Sequence, residues 1–334
     1  RKYDTANQVA MGYVYSVFGL RLLCNLNLPG FVPLPVEPPY DVIVSLGNWP
    51  EWLSRPVPPD REALYISRDI GENGQPSSRV WSAGGGDYFR ILYDDGTDCV
   101  VDRRGTRIWV WWPAPFTLAD VVPYLQGQLL GLVQRLRGVT CLHASAILIG
   151  DHAIAVAGFP GAGKSSTAAA FLQMGFPVLA DDVVPVFEDA GKFMVQPAHP
   201  RIWLRPDMVE TLFGSSDALP LLAPSWEKRY LDLNIAGPGL PLEPKPLAAI
   251  YILSERANEP ERPVVTEAAP RDILLRLLCN TYMNHLLDPR MRSQEFETLS
   301  RLQRSVPVRM VHPHEDVSRI SQLCRAICAD LGKG

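Results

Sequence analysis

Up to about Phe116, apolar residues recur at alternate positions or in short β-branched and aromatic runs, the pattern of strands rather than helices. Runs at Asp41–Leu46, Ala63–Ser67, Asp87–Tyr93, Cys99–Asp102 and Thr106–Trp112 predict strands. Turn residues at Gly71–Gly74, Gly84–Gly86, Asp95–Gly96 and Arg104–Gly105 separate them, and the last two predict consecutive hairpins. Five prolines between Pro29 and Pro39 predict an extended connector. The period then changes. Leu118, Val121, Val122, Leu125, Leu129, Leu132, Val133 and Leu136 form one apolar face over Thr117–Arg137, with Thr117 and Asp120 as its cap and Gly138 as its stop. That is the pattern of a packing helix.

After Val139 strands alternate with helices. Thr140–Ile149 and Ala153–Ala157 read as strands, Gly163–Met174 as a helix and Pro177–Ala180 as a strand. Ala248–Leu253 and Val308–Val311 follow as strands, and Arg271–Leu287, Gln294–Leu302 and Asp316–Leu331 as helices. The order implies a β-rich N-terminal domain over 1–116 and an α/β catalytic domain with a helical end over 117–334. The aromatics of the first part, Trp109, Trp111 and Trp112 among them, read mainly as its core, with a peptide groove as the other reading.

Composition bounds the function. With 47% hydrophobic and 20% charged residues in 334, the chain has an ordinary globular balance and enough length for two cores. A formal net charge of −4 argues against nucleic acid or an anionic membrane as a general partner. No run approaches the roughly 18 apolar residues of a membrane helix, and no secretory signal pattern is present. The six cysteines are scattered without CxxC spacing, and Cys324 and Cys328, one helical turn apart, read as packing; a reduced, cytoplasmic setting is expected.

The strongest chemical signal is Gly158-Phe159-Pro160-Gly161-Ala162-Gly163-Lys164-Ser165, followed by Ser166, which meets G-x-x-x-x-G-K-[ST] at every fixed position. A loop that turns its backbone N–H groups inward onto phosphate needs glycines for positive φ and close approach. The helix that opens there adds its dipole. Lys164 would carry positive charge to the β- and γ-phosphates, and the Ser165 hydroxyl suits Mg²⁺. An apolar strand precedes the motif and a helix-forming run follows it, the context the motif requires.

Phe176–Ala180 then ends in Asp181 and Asp182. A strand after the loop helix can lie beside the loop strand, which would bring both carboxylates to the phosphates, one for metal and one for a hydroxyl proton. His143 lies on the preceding strand and reaches the site if that strand forms a hairpin with the next; a satisfied structural histidine is the competing reading. Arg201, Arg205, Lys228 and Arg229 are candidates for phosphate or acceptor contact, with a solvated surface role as the alternative for each.

These features resemble the HPr kinase/phosphorylase family of bacterial serine kinases. His143 lies fifteen residues before Gly158, and Asp181 seventeen after Lys164, as in that family. The resemblance runs from Leu142 to about Val186 and reaches weakly to Thr211-Leu212-Phe213-Gly214. It implies a P-loop kinase domain of the HPr kinase/PEP carboxykinase-like type, ATP and Mg²⁺ as cofactors, and homo-oligomers. It also implies Asp181 as the general base, Asp182 and Ser165 on the metal, and His143 at the acceptor side. The family's glycine-rich Arg-Gly-Leu-Gly stretch is replaced by His199-Pro200-Arg201-Ile202-Trp203-Leu204-Arg205-Pro206, and its downstream Arg-Pro-Gly-Arg loop has no counterpart. Both departures argue against HPr as acceptor and against the reverse reaction. Tyr15-Ser16-Val17-Phe18-Gly19-Leu20, Leu28-Pro29, Gly105-Thr106-Arg107-Ile108 and Leu136-Arg137-Gly138 look instead like the HPr-kinase-related proteins of ribosomal-peptide biosynthesis, including lasso-peptide kinases.

The expectation is therefore ATP-dependent transfer of a phosphoryl group to a serine hydroxyl of a peptide or small protein. Two other readings stand beside it: a kinase of a small serine-like metabolite, and a nucleotide-gated binding protein without transfer.

Overall fold

The computed structural model describes residues 12–332, apart from 72, 200, 238 and 240. The outermost residues of both expected domains, and Pro200 of the stretch that replaces the glycine-rich segment, lie outside the described residues. The chain is a mixed α/β protein that divides into two compact units, Arg1–Arg137 and Gly138–Gly334. The division falls after the helical segment, at Arg137, where the sequence suggested Phe116; Tyr124 of that segment donates to Asp95 and Gln134 to the Phe18 carbonyl.

The first unit holds strands β1 (Tyr13–Val17), β2 (Leu20–Cys24), β3 (Val42–Leu46), β4 (Tyr65–Ile66), β5 (Ser78–Ala83), β6 (Tyr88–Tyr93), β7 (Asp98–Asp102) and β8 (Arg107–Trp111). They form one sheet in the order β1-β2-β3-β8-β7-β6-β5-β4. The two hairpins expected at Asp95–Gly96 and Arg104–Gly105 join β6 to β7 and β7 to β8. Phe18 and Gly19 both take positive φ, 54° and 73°, and turn β1 into β2. The Tyr15 hydroxyl donates to Asn27 (2.7 Å) and accepts the Leu28 N–H (2.8 Å), which fixes the start of the proline connector. Helix α1 (Leu118–Tyr124), a π-turn (Leu125–Leu129) and α2 (Leu130–Leu136) run on without interruption. Asp120 accepts from both the backbone and the hydroxyl of Thr117, the cap read from the sequence.

Ile108 and Val110 of β8 are buried, whereas Arg107, Trp109 and Trp111 stand on its half-exposed face. Trp109 and Trp111, read mainly as core, therefore lie on the half-exposed face; Trp52 meets Tyr88 and Trp109 there, and Arg55 stacks on Trp111. Arg90 holds the covering loop down. It pairs with Asp98 at 2.7 Å and donates to the carbonyls of Ser54, Arg55 and Pro56.

In the second unit, β9 (Thr140–Ile149) and β10 (His152–Gly158) form the expected hairpin, and helix α3 (Lys164–Gln173) follows the loop. Next come β11 (Val178–Ala180), β12 (Val183–Asp189), β13 (Lys192–Val195), β14 (Arg201–Leu204), α4 (Pro206–Phe213), β15 (Arg229–Asp232) and α5 (Leu233–Ala236). Then follow β16 (Lys245–Leu253), β17 (Val264–Thr266), α6 (Pro270–Cys279), α7 (Pro289–Ser305), β18 (Val308–His312) and α8 (Ile320–Leu331). The main sheet runs β10-β9-β12-β13-β16-β18-β17, and β10 also pairs with β16 in parallel. Strands β14 and β15 make a separate ribbon. Helix α3 packs Ala168, Ala169 and Phe171 against Ile154 and Val156 of β10 and against Leu323, Cys324 and Ile327 of α8.

Two expectations change here. Strand β11 pairs with β9 rather than beside the loop strand, because β9 and β16 already fill both edges of β10. The helix expected over Arg271–Leu287 ends at Cys279, where the chain leaves α6 to run along β9. His143 donates its N–H to Asn280 (2.7 Å) and Tyr282 donates to Cys141 (2.8 Å). Among the described residues no helix is long and apolar enough to cross a membrane.

Removing the guanidinium that staples the first unit's loop should strand the Asp98 carboxylate, already raised by burial against the pull of Arg90. Arg90→Ala should lower unfolding free energy by about 3–5 kcal/mol in a denaturant titration; a loss under 1 kcal/mol would show that the pair is dispensable.

Candidate functional site

The phosphate-loop glycines adopt the conformations that their type allows. Gly161 and Gly163 have φ of 83° and 103°, and Gly163 immediately precedes α3. A Cβ on Gly163 would also lie 2.5 Å from the Arg256 guanidinium. Lys164 is 7% exposed and donates to the Gly158 and Phe159 carbonyls at 2.9 and 3.2 Å, so its ammonium is held inside the loop. Burial lowers its pKa, with the Asp182 and Asp181 charges opposing and Lys228 adding to the shift.

The β9–β10 hairpin delivers two side chains from one face of β9, His143 and Ser145, since strand side chains alternate. Asp181 and Asp182 join β11 to β12. Ala180 lies opposite Ala146 and Val183 opposite His143, so one register spans the acidic pair, and the β11 side shifts register just before it, between Val178 and Ala180. Within it the backbone changes hand: Asp182 has φ of 67°, a conformation that aspartate tolerates. The two carboxylates consequently meet different surroundings.

Asp181 is 2% exposed. It accepts from the Ser145 hydroxyl at 2.6 Å and from the Trp203 N–H at 3.2 Å, and the Ser165 hydroxyl lies near enough to lower its pKa. Burial raises its pKa, and the Asp182 charge adds to this, while those donors pull the other way. The Asp182 side chain is 27% exposed and lies 3.3 Å from His143 Nε2. Its second oxygen accepts from the Tyr282 hydroxyl at 3.2 Å. Burial pushes Asp182 up, but the His143 hydrogen bond and charge, Lys228 and Tyr282 together hold it below the usual carboxylate range. The Tyr282 phenol is raised well above its ordinary value by burial and by Asp182.

The sequence-derived residues thus divide. The loop, Lys164, Ser165, Asp181, Asp182 and His143 come together, and Lys228 is close enough for its charge to act on Lys164 and Asp182. Arg201 is buried, with its guanidinium 4.1 Å from the centre of the Tyr230 ring, and Arg229 is held by Asp217 and the Leu219 carbonyl. Arg205 pairs with Asp207 at the surface. Three contributors went unread: Ser145, Tyr282 and Arg256. Alternation along Cys141–Ser145 carried the signal for Ser145, on the same face as His143; nothing local marks Tyr282 or Arg256.

The Ser165 hydroxyl beside the Asp181 carboxylate is an oxygen pair suited to Mg²⁺, which takes one or two protein oxygens and completes its shell from phosphate and water. Among the described residues no group of three or more His, Cys, Asp or Glu side chains is placed to hold a metal ion.

Comparison with known proteins adds little. No family model matches the chain, and no curated protein does. Among solved structures, it is similar to the HPr(Ser) kinase/phosphatase from Coxiella burnetii, at 12% identity over 58% of this chain and 91% of that one. The TM-score is 0.34, a likeness too slight to bear on function.

Two outcomes test the site's construction. Gly163→Ala meets both the strained φ, worth roughly 1–2 kcal/mol, and the Arg256 contact, whereas Gly161→Ala meets strain alone with open space around it. Triphosphate affinity should fall further in the first variant; equal losses would discount the contact. His199, stacked on Trp203 and facing Asp182 and Arg201, is lowered to about 4 by burial from 6.5. As pH falls across that window the unfolded chain gains a proton that the folded chain refuses, so stability declines. His199→Phe, which keeps the ring stack, should remove on the order of 3 kcal/mol of acid sensitivity; a pH–stability curve as steep as the parent's would refute this.

Proposed function

We propose that this protein is an ATP-dependent, Mg²⁺-assisted kinase that phosphorylates a serine hydroxyl of a peptide or small protein. The observation that carries the reading is the meeting of two unlike carboxylates at a phosphate loop. Asp181 is buried against Ser165, and Asp182 reaches solvent beside His143.

The resemblance assigns proton acceptance to Asp181 and the metal to Asp182. Burial and hydrogen bonding favour the opposite division. An acceptor hydroxyl can approach Asp182 from solvent, while Asp181 already receives bonds from Ser145 and the Trp203 N–H. In our reading the hydroxyl oxygen attacks the γ-phosphorus, the bond to the β-phosphate oxygen breaks, ADP leaves, and the hydroxyl proton passes to Asp182. His143 and Tyr282 each hold one Asp182 oxygen and so orient the carboxylate. Because they also lower its basicity, Asp182 contributes mainly by positioning the hydroxyl, which suits a loose phosphoryl transition state. Lys164 neutralises charge on the phosphates, and Mg²⁺ on Ser165 and Asp181 would supply further charge stabilisation.

A peptide acceptor rests on the resemblance to peptide-biosynthesis kinases. Incubation with ATP, Mg²⁺, serine peptides and free serine-like metabolites should phosphorylate peptide serine. Asp182→Asn should slow transfer by about 10²-fold or more while ATP affinity persists. Asp181→Asn should mainly weaken the Mg²⁺ dependence of ATP binding. Normal transfer by Asp182→Asn sinks the base assignment, turnover of a metabolite alone favours the small-molecule kinase, and nucleotide binding without any phosphorylated acceptor favours the gated binding protein.

A further inference from the structure

The ribbon of β14 and β15 turns Ile202, Leu204 and Leu231 into the core. Strand side chains alternate, so its other face carries Arg201 and Trp203, with Tyr230 opposite Trp203. The ribbon abuts the acidic pair directly, since the Trp203 N–H donates to Asp181 at 3.2 Å. His199, two residues before Arg201, stacks on the Trp203 ring and faces Asp182. Lys228, two residues before Tyr230, is exposed, and its charge acts on the same carboxylate.

Arg201 is 8% exposed, yet its side chain makes no hydrogen bond and no ion pair among the described residues. The acid across the ribbon, Asp232, is turned to the Asn234 N–H at 2.9 Å. What holds the guanidinium is the Tyr230 ring, 4.1 Å from it. Such a stack fixes the guanidinium plane and leaves its N–H edge for an acceptor. Arg201 Nε and the Trp203 indole N–H are closed off from water with no partner, whereas the two terminal nitrogens of Arg201 are not closed off. Buried donors without acceptors are costly, and a buried cation without a counter-charge more so. Arg90, also buried, obeys that rule with Asp98 and three carbonyls. The oxygens of a planar anion would satisfy Arg201 in the same way.

We propose that Arg201, with Trp203 and Lys228 beside it, receives a carboxylate that the acceptor carries next to the hydroxyl presented to Asp182. The proposal rests on the reading of Asp182 as the acceptor-side carboxylate and adds the chemistry of the acceptor: a serine adjoining an acidic side chain or a chain end. The nucleotide phosphates have their own donors in the Gly158–Ser165 loop and Lys164, which leaves the ribbon face to the other substrate. Arg201 is here a specificity-determining residue, not a charge on the γ-phosphate.

Initial rates with ATP, Mg²⁺ and two pairs of acetylated peptides test this. One pair is amidated Gly-Ser-Asp-Gly against amidated Gly-Ser-Asn-Gly; the other is Gly-Gly-Ser with its end free against the same peptide amidated. The first pair reads an acidic side chain and the second a chain end. In one pair at least, the unmodified protein should favour the carboxylate peptide about ten-fold or more in kcat/KM, chiefly through KM. Arg201→Gln should bring that ratio to within about two-fold, whereas a merely structural role would slow both members of a pair alike and leave the ratio intact. Lys228→Gln, at an exposed position, should lower the same ratio about three-fold even if Arg201→Gln does not fold. A raised KM for ATP with the peptide ratio intact in Arg201→Gln would make it a nucleotide contact and overturn the proposal. Equal use of both members of each pair by the unmodified protein would overturn it too, and would leave the kinase reading standing. Phosphorylation of none of the four peptides would defeat the peptide-kinase reading and the proposal with it.

Discussion

Strand β9 is hydrogen-bonded along both edges, and its register decides which side chains can meet at the site. Its first half lies between β12 and the Asn280–Tyr282 segment, and its second half between β10 and β11. That arrangement brings the phosphate loop, the acidic pair and Tyr282 to one strand from three distant parts of the chain. A slip of one residue would turn Leu142 and Ala144 toward the aspartates in place of His143 and Ser145. The buried apolar residues on the strand's opposite face oppose such a slip, because it would exchange core for polar surface.

The same strand separates the two carboxylates electrostatically. Adjacent aspartates in a low-dielectric site repel, and each raises the cost of ionising the other. Asp181 resolves this with neutral donors, Ser145 and a backbone N–H, whereas Asp182 has His143 and the nearby Lys228 charge. The result is a buried carboxylate with a raised pKa beside a solvent-reaching one with a lowered pKa. Pairs pushed apart in this way are a common means of giving like groups unlike tasks.

Sequence reading recovered what local pattern encodes. The phosphate loop is continuous, its glycines have a geometric reason, and the strand before and helix after it are short-range signals. His143 was legible because a hairpin is also short-range. The partner of β11 was not, since period and composition say where a strand is and not which edge accepts it. The helix expected through Leu287 failed for a related reason: Leu286 and Leu287 prolong an apolar helical rhythm, yet the chain at Thr281 gains more from bonding to β9. Tyr282 was hidden by that long-range pairing, and Arg256 by the parallel pairing of β16 with β10. Arg229 shows the converse error, in which suitable chemistry in the sequence is occupied by a structural partner.

One register with β9 spans Asp181–Asp182, from Ala180 to Val183, and begins just after a register shift in β11 between Val178 and Ala180. Two residues on β9 face two residues on its neighbour, so the change of hand at Asp182 adds nothing to the length of either strand. The offset is taken up inside β11, and from Ala180 through the acidic pair into β12 the pairing with β9 keeps one register. Side chains in this two-residue step can therefore change without displacing the β9–β12 pairing that follows it.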